Sequence, residues 1–243
     1  KLTFGARWTE ENKEVIFNAI GSCEKDFSSC SGPSSGLFRS GTYDDTTPKF
    51  AITHALNDDV NIYASYTQGF RSGSFDARAR TIDSFLNSQP GPEEVTSIEL
   101  GLKSTLNDGR IMFNLAVFQA DYDDIQKLAL EDCVVDINTC PSGRIQRLIN
   151  AAEATIEGIE IETRINITDQ FSLEGSLGYT DASFDKFEGF DADGVPGYDP
   201  VTDPAAAKAL KFERVPELTY NIMANYYQPL ANGAELDFRV SYS

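Results

Sequence analysis

The stretch "SIELGLKSTLNDGRIMFNLAV", residues 97–117, holds two runs of alternating apolar and polar residues on either side of the turn sequence Asn-Asp-Gly. The apolar side chains recur at every second position, and they are Ile98, Leu100, Leu102, Ile111, Phe113, Leu115 and Val117. A period of two is typical of a β-strand with one apolar and one polar face. Asn-Asp-Gly favours a tight hairpin turn, so the stretch predicts an antiparallel β-hairpin.

The same alternation recurs along most of the chain. We predict strands at about residues 2–15, 47–56, 60–72, 95–106, 110–127, 146–167, 171–187, 214–230 and 234–243. Helical periodicity is nearly absent, and the one helix-friendly stretch, residues 204–210, is short and lies in a predicted loop. The predicted fold class is therefore all-β.

Short and long connections alternate between these nine predicted strands. The tight turns fall at residues 57–59, 107–109, 168–170 and 231–233. The long connections fall at residues 16–46, 73–94, 128–145 and 188–213. An antiparallel up-and-down meander then has all its short turns at one end and all its long loops at the other, which is the pattern of transmembrane β-barrels.

Charged residues share the polar side of the predicted strands. They are Arg7, Glu99, Lys103, Glu160, Glu162, Arg164, Glu174, Asp237 and Arg239. A packed protein interior could not hold so many charges, because an unpaired buried charge costs several kcal/mol. We expect the charged face to line the water-filled lumen of a wide barrel and the apolar face to meet lipid. The alternative is a curved soluble sheet whose apolar face packs on a missing domain.

Composition excludes several classes of function. The net charge of −18 disfavours a nucleic-acid partner, which needs a basic surface. No run approaches the roughly 18 apolar residues of a membrane helix. We find no nucleophile elbow, metal-ligand cluster or phosphate loop, so we predict neither an enzyme nor a bound cofactor.

The four cysteines form two equally spaced pairs within polar, turn-rich segments. Six residues separate Cys23 from Cys30, and six separate Cys133 from Cys140. We predict two local disulfides, Cys23–Cys30 and Cys133–Cys140, formed in an oxidising compartment. Four unpaired buried thiols are the alternative.

Two segments contain candidate binding residues. Phe70, Arg71, Phe75, Arg78 and Arg80 could bind an anionic ligand, because arginine offers forked donors and the rings can stack. The competing interpretation is a structural motif at the membrane rim followed by a soluble loop. The acidic stretch 181–203 offers weak Ca²⁺ candidates in Asp191, Asp193 and Asp199. A solvated acidic loop is the default there, and we predict no metal site.

Five stretches resemble, in order along the chain, strands of TonB-dependent outer-membrane receptors. They are "LTFGARWTEENKE" (2–14), "NIYASYTQGFRSGSF" (61–75), "PEEVTSIELGLKSTLNDGRIMFNLAVFQADYDDIQ" (92–126), "NAAEATIEGIEIETRINITDQFSLEGSLGYTDASF" (150–184) and "RVPELTYNIMANYYQPL" (214–230).

The resemblance implies a barrel of about 22 strands, plugged by an N-terminal domain, in the bacterial outer membrane. Its long loops would be extracellular and its short turns periplasmic. It implies TonB-driven import of a bulky, scarce nutrient such as a ferric siderophore. The expected partners are outer-membrane lipid, TonB, the plug domain and a small-molecule nutrient.

We expect residues 1–243 to be one part of that barrel domain, with the plug domain, the TonB box and the closing C-terminal strand outside this chain. Two alternatives stay open: a passive porin-type channel, and a soluble β-rich binding module.

Overall fold

The computed structural model describes residues 1–18, 35–76, 79, 82–132, 143–187 and 204–243. The strands are β1 Leu2–Asn18, β2 Ser35–Ala55, β3 Val60–Arg71, β4 Glu93–Leu106, β5 Ile111–Asp132, β6 Arg144–Asn166, β7 Phe171–Phe187, β8 Leu218–Pro229 and β9 Glu235–Tyr242. The two helices are α1 Ile82–Asn87 and α2 Pro204–Ala209. Within these described residues the strands form one nine-stranded sheet in chain order. Every neighbouring pair is antiparallel. The predicted all-β, up-and-down architecture is confirmed.

The β4–β5 turn has the backbone geometry that its sequence predicts. In the β4–β5 turn, Asn107, Asp108 and Gly109 have φ angles of 54°, 53° and 84°. Two successive positive φ angles are typical of the type I′ turn, whose twist matches that of a hairpin. This turn fixes the register that pairs Leu106 with Ile111.

Several predicted boundaries were wrong at the long-loop end. β2 begins at Ser35 instead of residue 47, and β5 continues to Asp132. The β2 extension carries polar residues on both faces, and the β5 extension begins with the apolar run 128–130, so neither alternates. β8 begins at Leu218 instead of residue 214, after Pro216, which has no N–H to donate to a sheet. Helix α1 was not predicted, whereas α2 occupies the helix-friendly stretch.

The apolar residues form a continuous band on one face of the sheet. Strand pairing aligns one complete row across eight strands, and it consists of Leu2, Ile52, Ala64, Leu100, Val117, Ile159, Tyr179 and Leu218. The band is open to its surroundings, since Leu100 is 56% exposed and Val240 is 71% exposed. A contiguous apolar surface this wide marks a membrane or a partner, because soluble monomers rarely expose one.

The continuous band ends on the side of the long connections. Beyond the row of Phe4, Phe50, Tyr66 and Ile98, the same face of the β1–β2 hairpin still exposes Trp8, Ile16 and Phe38, but these apolar residues are interrupted by polar ones. The polar side chains on this face beyond the row include Glu10, Asp44, Glu94, Asp121, Glu157 and Asp181. On β7 the band covers residues 171–179, a strand length of about 30 Å. A strand of that length, tilted as in a barrel, matches an apolar belt about 25 Å tall.

Among the described residues, no helix has the length and apolar content required to cross a membrane.

The sheet splits into two parts above the apolar band. The ladder between β2 and β3 stops at Lys49–Thr67, next to Pro48, which cannot donate a backbone hydrogen bond. The ladder between β4 and β5 stops at Glu94–Asp123. The β1–β2 hairpin therefore continues alone on one side, and β5 and β6 continue beside β7 on the other. The long-loop ends of β3 and β4 lie between them. The chain that joins β3 to β4 is residues 72–92 (the β3–β4 connection), and its described residues lie across this gap.

Candidate functional site

All nine of the predicted charged residues lie on one face of the sheet, opposite the apolar band. Strand pairing sets Lys103 beside Asn114, and Asn114 beside Glu162. It likewise sets Arg164 beside Glu174. The remaining charged residues share the same side of their strands through the same register, and they are Arg7, Glu99, Glu160, Asp237 and Arg239. We call this surface the charged face.

Side chains on the charged face contact one another but stay hydrated. Arg164 Nε lies 3.6 Å from Glu174 Oε1, with both side chains partly exposed. Arg239 Nε donates to Asn225 Oδ1 at 2.9 Å, and the Tyr63 hydroxyl donates to Glu99 at 2.6 Å. Exposed ion pairs of this kind contribute at most about 1 kcal/mol each. The face therefore suits contact with water, an ionic ligand or a polar partner.

A concave basin opens on the charged face at the short-turn end. Its volume is about 710 Å³, and the residues around it include Arg164, Glu174, Asn225, Tyr227 and Arg239. The neighbouring turns are joined across its rim by an ion pair between Arg110 and Asp169, 3.1 Å apart. The basin is polar, so it is a surface for a hydrated or charged partner instead of an apolar ligand.

Two connections cover the charged face at the opposite, long-loop end. Ser72 of the β3–β4 connection donates to Glu11 Oε2 at 2.6 Å, and Lys13 Nζ donates to the Gly73 carbonyl at 3.0 Å. The hydrogen bond from Ser72, followed by that from Lys13, lowers the pKa of the Glu11 carboxyl. Glu11 lies above the apolar band, level with polar residues on both faces.

The second covering element is helix α2. It packs on a buried cluster consisting of Ile125, Ala152, Ala154, Phe184, Phe187 and Ala207. Phe184 stacks on Phe212 with ring centroids 4.1 Å apart. Ala154 and Phe184 are cross-strand partners on the same side of β6 and β7 as Glu160 and Glu174. The long connections that the structure describes therefore fold over the charged face and leave the apolar band open.

A match to a known family explains this two-sided sheet. Over residues 1–243 the sequence matches the family described as TonB dependent receptor-like, beta-barrel. The chain belongs to this family. The resemblance drawn from the strand sequences is confirmed, and the open nine-stranded sheet is part of a TonB-dependent receptor β-barrel.

Solved receptors share the fold of this receptor barrel segment. The ferric yersiniabactin uptake receptor FyuA from Yersinia pestis superposes with a TM-score of 0.66 at 15% identity, over 99% of this chain and 30% of that protein. The siderophore receptor PiuA from Acinetobacter baumannii gives a TM-score of 0.64 at 18% identity, over 99% of this chain and 33% of that protein. At these identities the likeness shows the fold alone.

A curated relative is similar in sequence over part of the chain. The metal-pseudopaline receptor CntO from Pseudomonas aeruginosa (strain UCBPP-PA14) is 25% identical over 143 residues, which are 58% of this chain and 17% of that protein. This receptor barrel segment thus spans less than a fifth of the curated relative's length and about a third of each solved receptor.

The five predicted ligand-binding residues do not form one group on the receptor barrel. Phe70 pairs with Glu94 and shares the face of Tyr66, so it points away from the charged face. The register therefore separates Phe70 from the other candidates, and its position four residues after Tyr66 in the sequence already indicates that face. Arg78 and Arg80 lie outside the described residues.

The other two candidates lie at the long-loop end of the charged face, each beside a protein partner. Arg71 Nη1 is 3.7 Å from Glu93 Oε2. The guanidinium of Arg39 lies 5.6 Å from the centroid of the Phe75 ring. A ligand would therefore meet Arg71 and Phe75 within existing contacts and not as free side chains.

Some residues that shape this end of the receptor barrel were not among the candidates predicted from the sequence. Gln126 and Asn150 are strand residues that bond to the β3–β4 connection, and Arg39 bonds to helix α1. Arg39 fell within residues 16–46, which were predicted as a connection. Each of them contacts residues more than thirty positions away, and local sequence carries no signal for such pairs.

Two further predictions fall on parts of the chain that the structure does not describe. The four cysteines of the predicted disulfides, Cys23–Cys30 and Cys133–Cys140, lie outside the described residues. So do the weak Ca²⁺ candidates Asp191, Asp193 and Asp199. Within the described ranges, no group of three or more His, Cys, Asp or Glu side chains could hold a metal ion.

Proposed function

We propose that this chain forms part of the barrel wall of an outer-membrane receptor that imports a bulky, scarce nutrient with energy supplied through TonB. The observation that carries the proposal is the two-sided sheet, with an exposed apolar band on one face and a hydrated charged face on the other, in a chain of this receptor family. A barrel of about 22 strands would place the apolar band against lipid and the charged face along the lumen.

The orientation of the barrel follows from where its strands become polar on both faces. Those extensions occur at the end with the long connections, whereas the tight turns follow directly on the apolar band. Outer-membrane barrels have long extracellular loops and short periplasmic turns. We therefore assign the long connections to the cell exterior and the short turns to the periplasm.

The cargo that we propose is a ferric siderophore or a similar metal chelate. The names of three similar proteins refer to pseudopaline, yersiniabactin and siderophores. Arg71 and Phe75, together with Arg78 and Arg80, are the candidates for contact with an anionic chelate at the long-loop end. The plug domain and TonB are the proposed protein partners, and the polar basin at the short-turn end is a surface on which a plug domain could lie. Transport of this kind needs no catalytic residue in the barrel wall.

Uptake in living cells tests the proposal. The gene for the full-length receptor is expressed in an outer-membrane host that lacks its own siderophore receptors, with and without TonB. Radioactive iron is supplied as a panel of hydroxamate, catecholate and carboxylate chelates. We expect uptake of at least one chelate, and we expect it to stop when TonB is absent.

Other outcomes separate the alternatives. Uptake that continues without TonB and rises linearly with concentration would identify a passive porin-type channel. A full-length protein that stays in the aqueous phase without detergent would identify a soluble β-rich module. Either outcome overturns the receptor proposal.

We also propose that Cys23–Cys30 and Cys133–Cys140 form disulfides on the exterior side. Peptide mapping of the full-length protein without reductant should recover each pair as a linked peptide. Cross-linked pairs such as Cys23–Cys133, or four thiols that react with iodoacetamide, would contradict the assignment.

A further inference from the structure

The β3–β4 connection joins two hairpins that the sheet itself leaves apart. Beyond the pairs Lys49–Thr67 and Glu94–Asp123, toward the long-loop end, neither β2 nor β5 has a hydrogen-bonded neighbour on the side of the gap. A strand edge without a neighbour leaves unpaired backbone groups. The described residues of the connection, 72–76, 79 and 82–92, lie between these two edges, and side-chain hydrogen bonds tie them to both hairpins.

On the β1–β2 side, charged side chains make the attachment through hydrogen bonds to neutral groups of the connection. Lys13 donates to Ser72 Oγ, and Ser72 Oγ in turn donates to Glu11 Oε2 at 2.6 Å. Arg39 reaches further along the connection. Its guanidinium donates to the Phe85 carbonyl at 3.2 Å and also to the Leu86 carbonyl and the Gln89 side chain.

On the β5–β6 side, two amide side chains make most of the contacts. Gln126 is buried, and its Nε2 donates to the Ser72 carbonyl at 2.9 Å and the Gly91 carbonyl at 3.1 Å. Its Oε1 accepts from Ser74 Oγ at 2.7 Å. Gln126 therefore holds both limbs of the connection at once, the one leaving β3 and the one entering β4.

Asn150 completes the attachment from the neighbouring strand. Its Oδ1 accepts from the Gly91 N–H at 2.7 Å. Its Nδ2 lies within donor range of the carbonyls of Gly91, Pro92 and Asp124, at 3.2, 3.4 and 2.6 Å. Asp124 has a φ of 55° at the point where the β5–β6 register shifts, so Asn150 also supports an unusual turn of the backbone.

The β3–β4 connection also has buried residues and hydrogen bonds between its own two limbs. Its two limbs pair with each other, the Ser74 N–H donating to the Pro90 carbonyl at 3.2 Å and the Asp76 N–H to the Ser88 carbonyl at 3.4 Å. Phe85 and Ser88 are fully buried. Helix α1 is fixed to β6 by Ser84 Oγ, which donates to the Gln146 carbonyl, and by the Leu148 N–H, which donates to Ser88 Oγ. Mobile loops have few buried contacts and solvent-exposed backbone, which is the opposite of this arrangement.

We propose that the β3–β4 connection is a fixed brace that holds the exterior ends of the β1–β2 and β5–β6 hairpins at a constant separation. Gln126 and Asn150 are its positioning residues, since both donate to the Gly91 carbonyl. Gln126 also donates to the Ser72 carbonyl, and Asn150 also accepts from the Gly91 N–H. The brace closes the gap in the barrel wall in the resting protein and stays closed. Any movement that admits a large solute must then arise in other parts of the mouth. This inference concerns the wall itself and stands whether or not the cargo is an iron chelate.

Amide hydrogen exchange of the full-length protein in detergent micelles tests the proposal. In the unaltered protein, peptides from residues 72–76 and 84–92 should exchange as slowly as the upper part of β6. The Asn150→Ala variant loses the bonds to Gly91, Pro92 and Asp124, and we expect exchange in the connection to accelerate about 10- to 100-fold. Gln126→Ala should have an effect of similar size, in both limbs together.

A matched control lies on the same strand as Gln126. Gln119 is also a glutamine of β5. Among the described residues, its side chain hydrogen-bonds only to the nearby Asp121. Gln119→Ala should leave exchange in the connection unchanged. Peptides from β4 and β7 report whether each variant has kept its barrel, so a global loss of structure is recognised and Asn150→Gln or Gln126→Asn then replaces the alanine variant.

Two outcomes would overturn the brace. The first is fast exchange of residues 72–76 and 84–92 in the unaltered protein, comparable with peptides from an unfolded control. The second is an acceleration in Gln119→Ala as large as that in Asn150→Ala, which would show that the connection responds to any change in β5.

Discussion

The lower and upper parts of the same strands are stabilised in different ways. In β5 and β6, residues 111–117 and 159–165 carry no bulge, and their outward apolar side chains are exposed or half-buried. Residues 119–132 and 144–157 contain two register shifts, a positive φ at Asp124 and buried side chains of their own. The lower part relies on lipid to cover its apolar face, whereas the upper part needs protein on it. The same strand therefore has lipid against its lower part and protein against its upper part.

The largest expected effect comes from removing a ring in the upper part. Phe184→Ala should destabilise the packing of α2 by about 3–5 kcal/mol, because Phe184 is buried against Phe187 and Phe212 and the cavity cannot refill. Proteolysis within residues 204–212 should become rapid while the barrel stays heat-modifiable on a gel. Leu177→Ala on the same strand faces the apolar band, where lipid or detergent fills the space, and should cost much less. Equal costs for the two variants would show that the upper cluster is not a protein core.

A charge on the apolar band should have the next largest effect. Leu115→Arg places a cation inside the band, in the row of Leu102, Ile161 and Leu177, which should lower the free energy of unfolding by about 2–4 kcal/mol. Ala116→Arg places the same cation on the charged face beside Glu160 and should be tolerated. Denaturant titration of the full-length protein in lipid vesicles measures both. A larger loss for Ala116→Arg would reverse our assignment of the two faces.

Close packing on the charged face predicts a smaller effect. A Cβ at Gly158 would lie 2.5 Å from the Tyr179 carbonyl oxygen and 2.8 Å from Phe118, so backbone would have to move. We expect Gly158→Ala to cost about 1–3 kcal/mol. At Gly175 the nearest atom is Thr163 Cγ2 at 3.5 Å, an ordinary contact, so Gly175→Ala serves as the control in the same titration. Equal stability of the two variants would contradict the predicted crowding.

The smallest effect concerns pH at the long-loop end. The pKa of Glu11 is lowered in the folded protein, so its contribution is complete above its ordinary titration range and is lost as the pH falls through the lowered pKa. Acidification should therefore loosen the β3–β4 connection slightly, by less than about fivefold in exchange rate after correction for intrinsic rates. Glu11→Gln should remove this pH dependence. A connection that tightens on acidification would contradict the sign.

The fold could be predicted from the sequence wherever one face of a strand meets lipid and the other meets water. Leu100 is apolar because it faces lipid, and Glu99 is charged because it faces water. This difference in surroundings produces the alternation of apolar and polar residues. At Thr42, Tyr43 and Asp44 both faces meet water or protein, so alternation is lost and the first half of β2 was predicted as a connection.

The site was harder to predict than the fold. Arg39, Gln126 and Asn150 act on a segment far away in sequence, and a polar residue at the end of a strand looks the same whether it binds a partner or faces water. Phe70 shows the opposite case, since its face was available from the register of β3 and was overlooked in favour of its arginine neighbour.

Pro48 has a mechanical consequence. On the short-turn side of Pro48, β2 is hydrogen-bonded to both β1 and β3. On the long-loop side it is hydrogen-bonded to β1 alone. A pull on the long-loop tip of the β1–β2 hairpin would therefore be resisted first by the side chains of Lys13 and Arg39, and only afterwards by the ladder between β2 and β3. We expect mutations in this tip to leave the paired strands on the other side of Pro48 intact.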